Sequence, residues 1–374
     1  QQLTKPGDIV VDPFLGSGTS AREAIVRNRL FIGFDVNPVA VELAKFITAP
    51  PSYKTVRDSL KAIEDEVKSK ICVTYALSSG ETATHFLWDA DELKQVWVKG
   101  NAKTSRREFA PSQHDLALVE SFSSYRSRLV RSPKFFSNGR INASPDMTLD
   151  SLLTHRAQHN LDLLIESISA CSPAVRSALQ LCLTAASGQM TQMVFAVTGR
   201  GKTKGESPDK VEVGSWVIGY WRPRLHFEVN VWNCFENRAR KLLSALKEAT
   251  GSPIPTFAEK PEDVVERSAP CFVGVMDCRK GLQRLPSESC SLVITDPPHS
   301  DRVPYLELSE FWNAILGRKA NLADEIVISN AKERGKTADE YQASIAQFLA
   351  QATRVLTPDG SLVVFFNARQ SEAW

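Results

Sequence analysis

The stretch VVDPFLGSGTS, residues 10–20, runs from a hydrophobic strand into an acid, a proline, an aromatic residue and two glycines. In an open α/β sheet, ligands bind beyond the carboxyl ends of the strands, where glycines let the backbone come close and a helix begins. Asp12, Gly16 and Gly18 stand at such an edge. Glycines in tight turns are commonly structural, so this pair needs support from neighbouring strand ends.

Strands and helices alternate on both sides of this turn. The predicted elements are strands at 8–12 and 30–35, helices at 19–28 and 37–47, strands at 271–277 and 291–296, a helix at 343–355, a turn at TPDG, and a strand at 361–366. This alternation predicts an α/β fold with a mostly parallel, doubly wound sheet.

The chain of 374 residues is too long for one ordinary core, and 43% of its residues are hydrophobic. We expect residues 1–70 and 268–374 to form the sheet domain, and residues 71–267 to form a large inserted α+β region. Within the insert, residues 72–109 have strand-like spacing, residues 148–195 look helical, and residues 199–210 have the composition of a mobile loop.

Bulk charge does not identify a partner, because 45 basic and 43 acidic residues leave a formal net charge of +2. The seven cysteines form no CxxC pair, so we expect no metal site. The sequence has no signal peptide and no apolar run of about 18 residues, and we therefore expect a cytoplasmic protein with reduced thiols and no membrane contact.

Polar residues at the ends of two further strands support a ligand site at the glycine turn. The second strand ends in Asp35, followed by Asn37, and an acid there can accept both hydroxyls of a ribose. Because the GxGxxG spacing is absent, the expected ligand is a nucleoside without a pyrophosphate. The fourth strand ends in TDPPHSD, residues 295–301, although Asp-Pro-Pro in isolation is a common turn.

DPFLGSGT followed by FDVNP, with DPPH at a later strand end, resembles the S-adenosyl-L-methionine-dependent methyltransferases that modify N6 of adenine or N4 of cytosine in DNA. The likeness covers residues 1–50 and 271–374, and it is greatest to adenine-specific DNA methylases with a zinc-ribbon-like insert. It implies a Rossmann-like class I methyltransferase sheet, S-adenosyl-L-methionine as cofactor, double-stranded DNA with a flipped target base, and a role in restriction-modification or phage defence.

The resemblance also implies the residues of the cofactor pocket. Residues near the methionine part of the cofactor would be Asp12, Phe14, Gly16, Gly18 and Thr19. Asp35 would bind the ribose and Asp277 the adenine amino group, although Asp277 could instead be a helix N-cap. Asn37 is open to the same two interpretations.

For catalysis, the resemblance implies that Asp296 and the backbone carbonyl of Pro297 accept the two hydrogens of the target amine, while Pro298 stiffens the loop. The next residue usually stacks on the base and is Tyr or Phe in the family, but here it is His299. A working variant, a shifted substrate preference and a weakened or lost activity all remain open. Tyr305 and Phe311 could supply other aromatic faces.

Two alternative functions also remain open: a methyltransferase for guanine amino groups in tRNA, and a non-catalytic DNA-binding subunit. Methylation at C5 of cytosine needs a Pro-Cys nucleophile after the fourth strand, whereas Pro270-Cys271 enters the third.

Residues 103–140 hold eight basic and three acidic side chains, which favours either a phosphate-contacting surface or a solvated face. The basic loop at 199–204 could close on DNA. We expect the catalytic domain to be incomplete at both ends, as a portion of a longer protein or one half of a split enzyme with a partner subunit.

Overall fold

The computed structural model describes residues 2–101, 105–198, 211–214, 219–249, 251 and 253–366. The chain forms two compact units. The first unit contains residues 1–51, 249–313 and 318–374, and the second contains residues 52–248 and 314–317. The proposed basic loop at 199–204 lies outside the described residues.

The elements of the described chain follow in order. The chain begins with β1 (Ile9–Asp12), α1 (Thr19–Val26), β2 (Leu30–Asp35) and α2 (Pro38–Thr48). The second unit adds α3 (Tyr53–Val73), β3 (His85–Asp89), β4 (Glu92–Lys99), β5 (Arg106–Phe109), α4 (Gln113–Glu120), α5 (His155–Ser169), α6 (Pro173–Ser187), β6 (Val194–Thr198), β7 (Val211–Val213), β8 (Leu225–Val229) and α7 (Val231–Glu248). The remaining elements are α8 (Pro261–Val265), β9 (Cys271–Val275), α9 (Cys278–Gln283), β10 (Cys290–Thr295), α10 (Tyr305–Ile315), α11 (Ala338–Val355) and β11 (Leu356–Val364).

The first unit is built on a five-stranded sheet in the order β11-β10-β1-β2-β9, in which every pairing is parallel. Along the chain within this unit, β2 and β9 are added on one side of β1, and β10 and β11 are then added on the other, as in doubly wound nucleotide-binding sheets. The strand order reverses between β1 and β10, because the chain returns to the far side of β1 after β9. The predicted α/β class with a mostly parallel sheet is confirmed.

Helices cover both faces of this sheet, because successive side chains of a strand point to opposite faces. Ile9 and Val11 of β1 belong to a core with side chains from α8, α9 and α11. Val10, between them, belongs to a second core with side chains from α1 and α2. Each strand therefore reads as a continuous hydrophobic run, which is the pattern that identified it in the sequence.

The sequence TPDG was predicted to be a turn before the last strand, and this was wrong. Residues 357–360 lie within β11, where they bulge out between two paired segments. Leu356 pairs with Cys290, and Ser361 pairs with Leu292, so β11 advances five residues while β10 advances two. The proline and glycine thus mark a β-bulge, which tolerates both residue types.

The second unit is built on an antiparallel sheet in the order β5-β4-β3-β8-β6-β7, together with helices. The structure divides the chain at 51/52 and 248/249, whereas the sequence analysis placed the insert at 71–267. Helix α3 packs on α5 and α7 and so belongs to the second unit. Residues before β9 belong to the first, because α8 packs on β2 and the amide of Ala258 donates to the carbonyl of Cys271.

Among the helices of the described ranges, none has the length and apolar character needed to cross a membrane.

Candidate active site

A cavity of about 630 Å³ opens in the first unit at the carboxyl ends of β1, β2 and β10. This volume is within the usual range for small-molecule sites. It lies where the strand order reverses, which is the position at which doubly wound sheets bind ligands. Among the described residues, the cavity brings together ten that the sequence analysis named for a site: Asp12, Phe14, Gly16, Thr19, Asp35, Asn37, Asp296, Pro297, Pro298 and Tyr305.

Asp12 ties together three elements at the floor of the cavity. Its Oδ1 accepts hydrogen bonds from the Thr295 hydroxyl (2.8 Å) and the Phe14 amide (3.2 Å), and its Oδ2 accepts from the Ser20 hydroxyl. Burial raises the pKa of Asp12 above its ordinary value, and these hydrogen bonds act in the opposite direction. Asp12 therefore holds the ends of β1 and β10 and the start of α1 in register.

The glycine turn needs glycine for two different reasons. Gly16 and Gly18 have φ angles of 53° and 87°, in the left-handed region that other residues adopt at a cost. A Cβ at Gly18 would also lie 2.5 Å from the Cβ of Ala44, so this glycine lets α1 approach α2. Gly18 is absent from the described cavity lining, whereas Gly16 lines the cavity.

Asp35 closes the turn from the end of β2. Its Oδ2 accepts from the Gly16 amide (2.9 Å) and its Oδ1 from the Asn37 amide (2.8 Å). The pKa of Asp35 is raised to about 6, because burial and, to a lesser extent, the nearby charges of Asp12 and Glu325 outweigh these two hydrogen bonds. A carboxylate has about four lone-pair positions, so Asp35 can still accept hydrogen bonds from a ligand in the cavity.

Asp277 occupies a capping position. It is the N-cap of α9, its side chain accepts from the Arg279 amide (2.8 Å), and the Arg279 guanidinium lies 2.6 Å from its Oδ2. It is not among the described cavity-lining residues, although the adjacent Cys278 is. Asn37 lines the cavity and binds Ser309 through its side chain, with Nδ2 2.8 Å from Oγ.

The Asp-Pro-Pro loop is fixed at both sides of Asp296. The Phe365 amide donates to the Thr295 carbonyl (2.9 Å), and the Tyr341 hydroxyl donates to the Pro298 carbonyl (2.6 Å). The side chain of Asp296 itself is 66% exposed and lines the cavity. The loop therefore holds one reachable carboxylate at a defined place.

His299 packs against the loop. Its Nε2 lies 3.1 Å from Asp296 Oδ1, and its ring meets the ring of Phe366 edge to face, with centroids 5.4 Å apart and planes at 88°. Its side chain is only 20% exposed, and it is not among the described residues that line the cavity.

The sequence analysis missed the residues that segment 318–337 contributes. Glu325 lines the cavity; it accepts from the Leu306 amide (2.9 Å), and its other oxygen lies 2.8 Å from Nη1 of Arg334. The same Nη1 also lies 2.8 Å from Glu307. Burial raises the pKa of Glu325. No local motif marks Glu325 as a lining residue, because its partners Leu306 and Arg334 come from other elements and meet it only through folding.

Among the described residues, six carboxyl side chains line the cavity: Asp12, Glu23, Asp35, Asp296, Asp324 and Glu325. Its described lining includes no lysine, arginine or histidine. Three of the carboxyl groups are paired with a cation: Glu23 with Arg27, Asp324 with Lys280 and Glu325 with Arg334. A negative potential in the cavity therefore depends mainly on Asp12, Asp35 and Asp296 in their ionised forms, whose field the low dielectric constant of the walls strengthens.

Among the described residues of the basic region predicted at 103–140, at least three cations are already paired. Arg106 lies 2.6 Å from Glu108 and stacks over Trp97, with its guanidinium carbon 3.7 Å from the ring centroid. The other two pairs are Arg107 with Glu81 and Lys134 with Asp146. These pairs reduce the local excess of positive charge, but exposed ion pairs are weak and can open for a phosphate.

A family model described as DNA methylase, of the N6/N4 methyltransferase type, matches residues 1–46. These residues contain β1, the glycine turn, β2 and most of α2. No curated protein and no solved structure matches the chain. The family match supports an amino-group DNA methyltransferase family, and with it DNA methyltransferase activity in general.

Proposed function

We propose that the protein transfers a methyl group from S-adenosyl-L-methionine to an exocyclic amino group of a DNA base. The preferred target in this proposal is N6 of adenine, and N4 of cytosine is the second candidate. The observation that carries the proposal is the cavity in which Gly16 and Asp35 meet the Asp296-Pro297-Pro298 loop across the strand-order reversal. A methyl donor and an acceptor amine must meet in one site, and this cavity unites the residues that we assign to each.

The charge of the cavity supports a cationic methyl donor. S-adenosyl-L-methionine supplies an electrophilic methyl group on a positively charged sulfur and also carries an amino group and a carboxylate of opposite charge, so its net charge is +1. The three lining carboxyl groups without an arginine or lysine partner among the described residues, Asp12, Asp35 and Asp296, favour such a ligand when ionised and disfavour a pyrophosphate-containing dinucleotide. In this proposal Asp35 binds the ribose hydroxyls, and Phe14, Gly16 and Thr19 contact the methionine part.

Asp296 and the Pro297 carbonyl are proposed to orient the target amine. The amine is a weak nucleophile, because its lone pair is delocalised into the ring of the base. Two acceptors that take its two hydrogens favour a tetrahedral nitrogen whose lone pair points at the methyl group. The new N–C bond forms as the S–C bond breaks, and the exposed Asp296 carboxylate can take the released proton.

The remaining parts of the proposal concern the wider protein. We propose that the first unit performs methyl transfer and that the second recognises DNA, with Arg106, Arg107 and Lys134 exchanging their carboxylate partners for phosphates. Asp277 is proposed to influence cofactor binding indirectly: it caps α9 and so positions the next residue, Cys278, which lines the cavity. The proposed setting is restriction-modification or phage defence in the cytoplasm, with a partner subunit or flanking segments.

Transfer of tritiated methyl groups to PCR-amplified DNA, which carries no methylation, tests the proposal. We expect incorporation by the unsubstituted protein and a loss of at least about a hundredfold in Asp296→Ala, as for removal of one oriented transition-state contact. The matched control is Asp301→Ala, a nearby exposed carboxylate that is not among the described lining residues.

Three results would contradict the proposal. Undiminished transfer in Asp296→Ala would remove the catalytic assignment. Transfer to tRNA but not to DNA would favour the guanine amino-group alternative. Calorimetry that detects no binding of S-adenosyl-L-methionine would favour a non-catalytic DNA-binding protein.

A further inference from the structure

His299 stands at the position where a base-stacking aromatic residue is expected, but its ring is engaged elsewhere. Its edge-to-face contact with Phe366 and its approach to Asp296 leave the side chain four-fifths buried. Since it does not appear among the described lining residues, a base in the cavity would need another aromatic face to stack on.

Two other aromatic rings line the cavity and are exposed. Tyr305 is 48% exposed and Phe365 is 58% exposed, and both line the cavity together with Asp296. Of the large hydrophobic side chains that the described chain exposes, these two alone border the cavity. Exposed aromatic rings beside a binding pocket are typical of a surface that covers a planar ligand.

The backbone at both aromatic residues is held by hydrogen bonds. The Leu306 side chain, next to Tyr305, is fully buried, and its amide is bonded to the buried Glu325. The Phe365 amide is bonded to the carbonyl of Thr295, the residue before Asp296. Rigid attachment reduces the entropy lost when a ligand stacks on the rings. Among the described residues, the Tyr305 hydroxyl has no hydrogen-bond partner, so its contribution comes from the ring.

We infer that Tyr305 and Phe365, instead of His299, form the surface on which the target base stacks while Asp296 and the Pro297 carbonyl hold its amino group. The inference rests on the proposed function and names the substrate-binding residues of the same site. The ligand class is a planar purine or pyrimidine with an exocyclic amine. His299 acts as a positioning residue that packs the loop and approaches Asp296.

Steady-state methyl transfer to PCR-amplified DNA, with Tyr305→Ala, Phe365→Ala and Tyr305→Phe, tests the inference. We expect kcat/KM for DNA to fall about tenfold to a hundredfold in each alanine variant, because stacking on an aromatic side chain contributes strongly to the binding of an unstacked base. Tyr305→Phe should retain the activity of the unsubstituted protein, since it keeps the ring. Calorimetry should find the same affinity for S-adenosyl-L-methionine in all three.

The matched control is Leu349→Ala, an exposed hydrophobic residue of α11 outside the described lining, which should leave kcat/KM unchanged. Alanine variants within twofold of the unsubstituted protein would overturn the inference and leave the proposed function intact. The inference also fails if Tyr305→Phe loses as much activity as Tyr305→Ala. An unsubstituted protein that binds the cofactor but methylates no nucleic acid would overturn both.

Discussion

Buried charge is compensated differently in the core of the second unit and at Asp12 and Asp35 of the first, although the first unit also contains a buried ion pair, of Arg334 with Glu307 and Glu325. In the second unit, Arg156 and Glu228 form a bidentate pair with both N–O distances at 2.8 Å, and both side chains are almost fully buried. The guanidinium also donates to the Thr74 carbonyl and lies over the Phe86 ring. In the first unit, Asp12 and Asp35 face a cavity and receive hydrogen bonds only from neutral groups among the described residues.

The difference indicates that the Arg156–Glu228 pair stabilises the fold, whereas Asp12 and Asp35 are available to bind a ligand. A buried ion pair whose hydrogen bonds are satisfied holds elements in one arrangement. Carboxylates without a cation have raised pKa values, and they gain free energy when a positively charged ligand arrives. We therefore expect the first unit to be stabilised when a positively charged ligand binds in the cavity. The buried pair of the second unit needs no ligand, because its charges already compensate each other.

The largest expected effect comes from breaking the buried pair. Glu228→Gln leaves the Arg156 guanidinium buried without a counter-charge, and we expect the free energy of unfolding of the second unit to fall by about 3–5 kcal/mol. Urea denaturation, with hydrogen exchange of the β8 amides as the local probe, measures it. Adding Arg156→Met to the same chain should recover part of the loss, because it removes the unpaired charge. A loss below about 1 kcal/mol would mean that the pair behaves like an exposed one.

An intermediate effect is expected for Asp35. In Asp35→Asn we expect the Kd for S-adenosyl-L-methionine to rise about tenfold to a hundredfold at neutral pH, the usual cost of a lost hydrogen bond to a charged group. Because the pKa of Asp35 is about 6, the affinity of the unsubstituted protein should fall as the pH drops through 6, and that of the variant should not. Calorimetry between about pH 5 and pH 8 checks both.

The raised pKa of Asp35 also predicts how the stability of the ligand-free protein changes with pH. The folded value of about 6 lies above the ordinary value of 3.8, so the fold favours neutral Asp35. Its contribution to stability is present below about pH 4 and is lost as the pH rises through about 6. The Tm of the unsubstituted protein relative to Asp35→Asn should therefore decrease over this window. Glu42→Gln, outside the described lining, is the control, and equal pH profiles for all three proteins would exclude Asp35 as the titrating group.

The smallest effect is expected at an exposed pair. Lys134 and Asp146 have side chains that are 63% and 83% exposed, so Lys134→Ala should change the free energy of unfolding by less than about 1 kcal/mol. If Lys134 leaves Asp146 to bind a DNA phosphate, Lys134→Ala should reduce the slope of the logarithm of the DNA-binding constant against the logarithm of the salt concentration by about 1.

Asp146→Asn should have the opposite effect on DNA binding, because it frees Lys134. Asn tolerates the left-handed backbone at this position, where φ is 65°. Measurements of DNA affinity over a series of salt concentrations test this prediction. If the salt dependence is unchanged in both variants, Lys134 does not contact DNA.

The parallel sheet was predictable because its strands are buried on both faces. Residues 30–35 gave a strand with the same bounds in sequence and structure, since continuous burial leaves a continuous hydrophobic run. The turn at Gly16 and the acid at Asp35 were also predicted, because backbone geometry and strand ends have local signatures. The bulge at 357–360 was not, since Pro and Gly indicate a break in a strand without saying whether the pairing resumes.

By itself, the sequence determined the alternation of strands and helices, the two polar strand ends and the chemistry they suggest, because each depends on residues within one short segment. Tertiary structure alone decided that Glu325 lines the same cavity as Asp35, that Asp277 caps a helix, and that Tyr305 faces the cavity while His299 does not. The physical reason is that burial and direction of a side chain depend on what packs against it. Those neighbours come from segments far away along the chain, which no local pattern records.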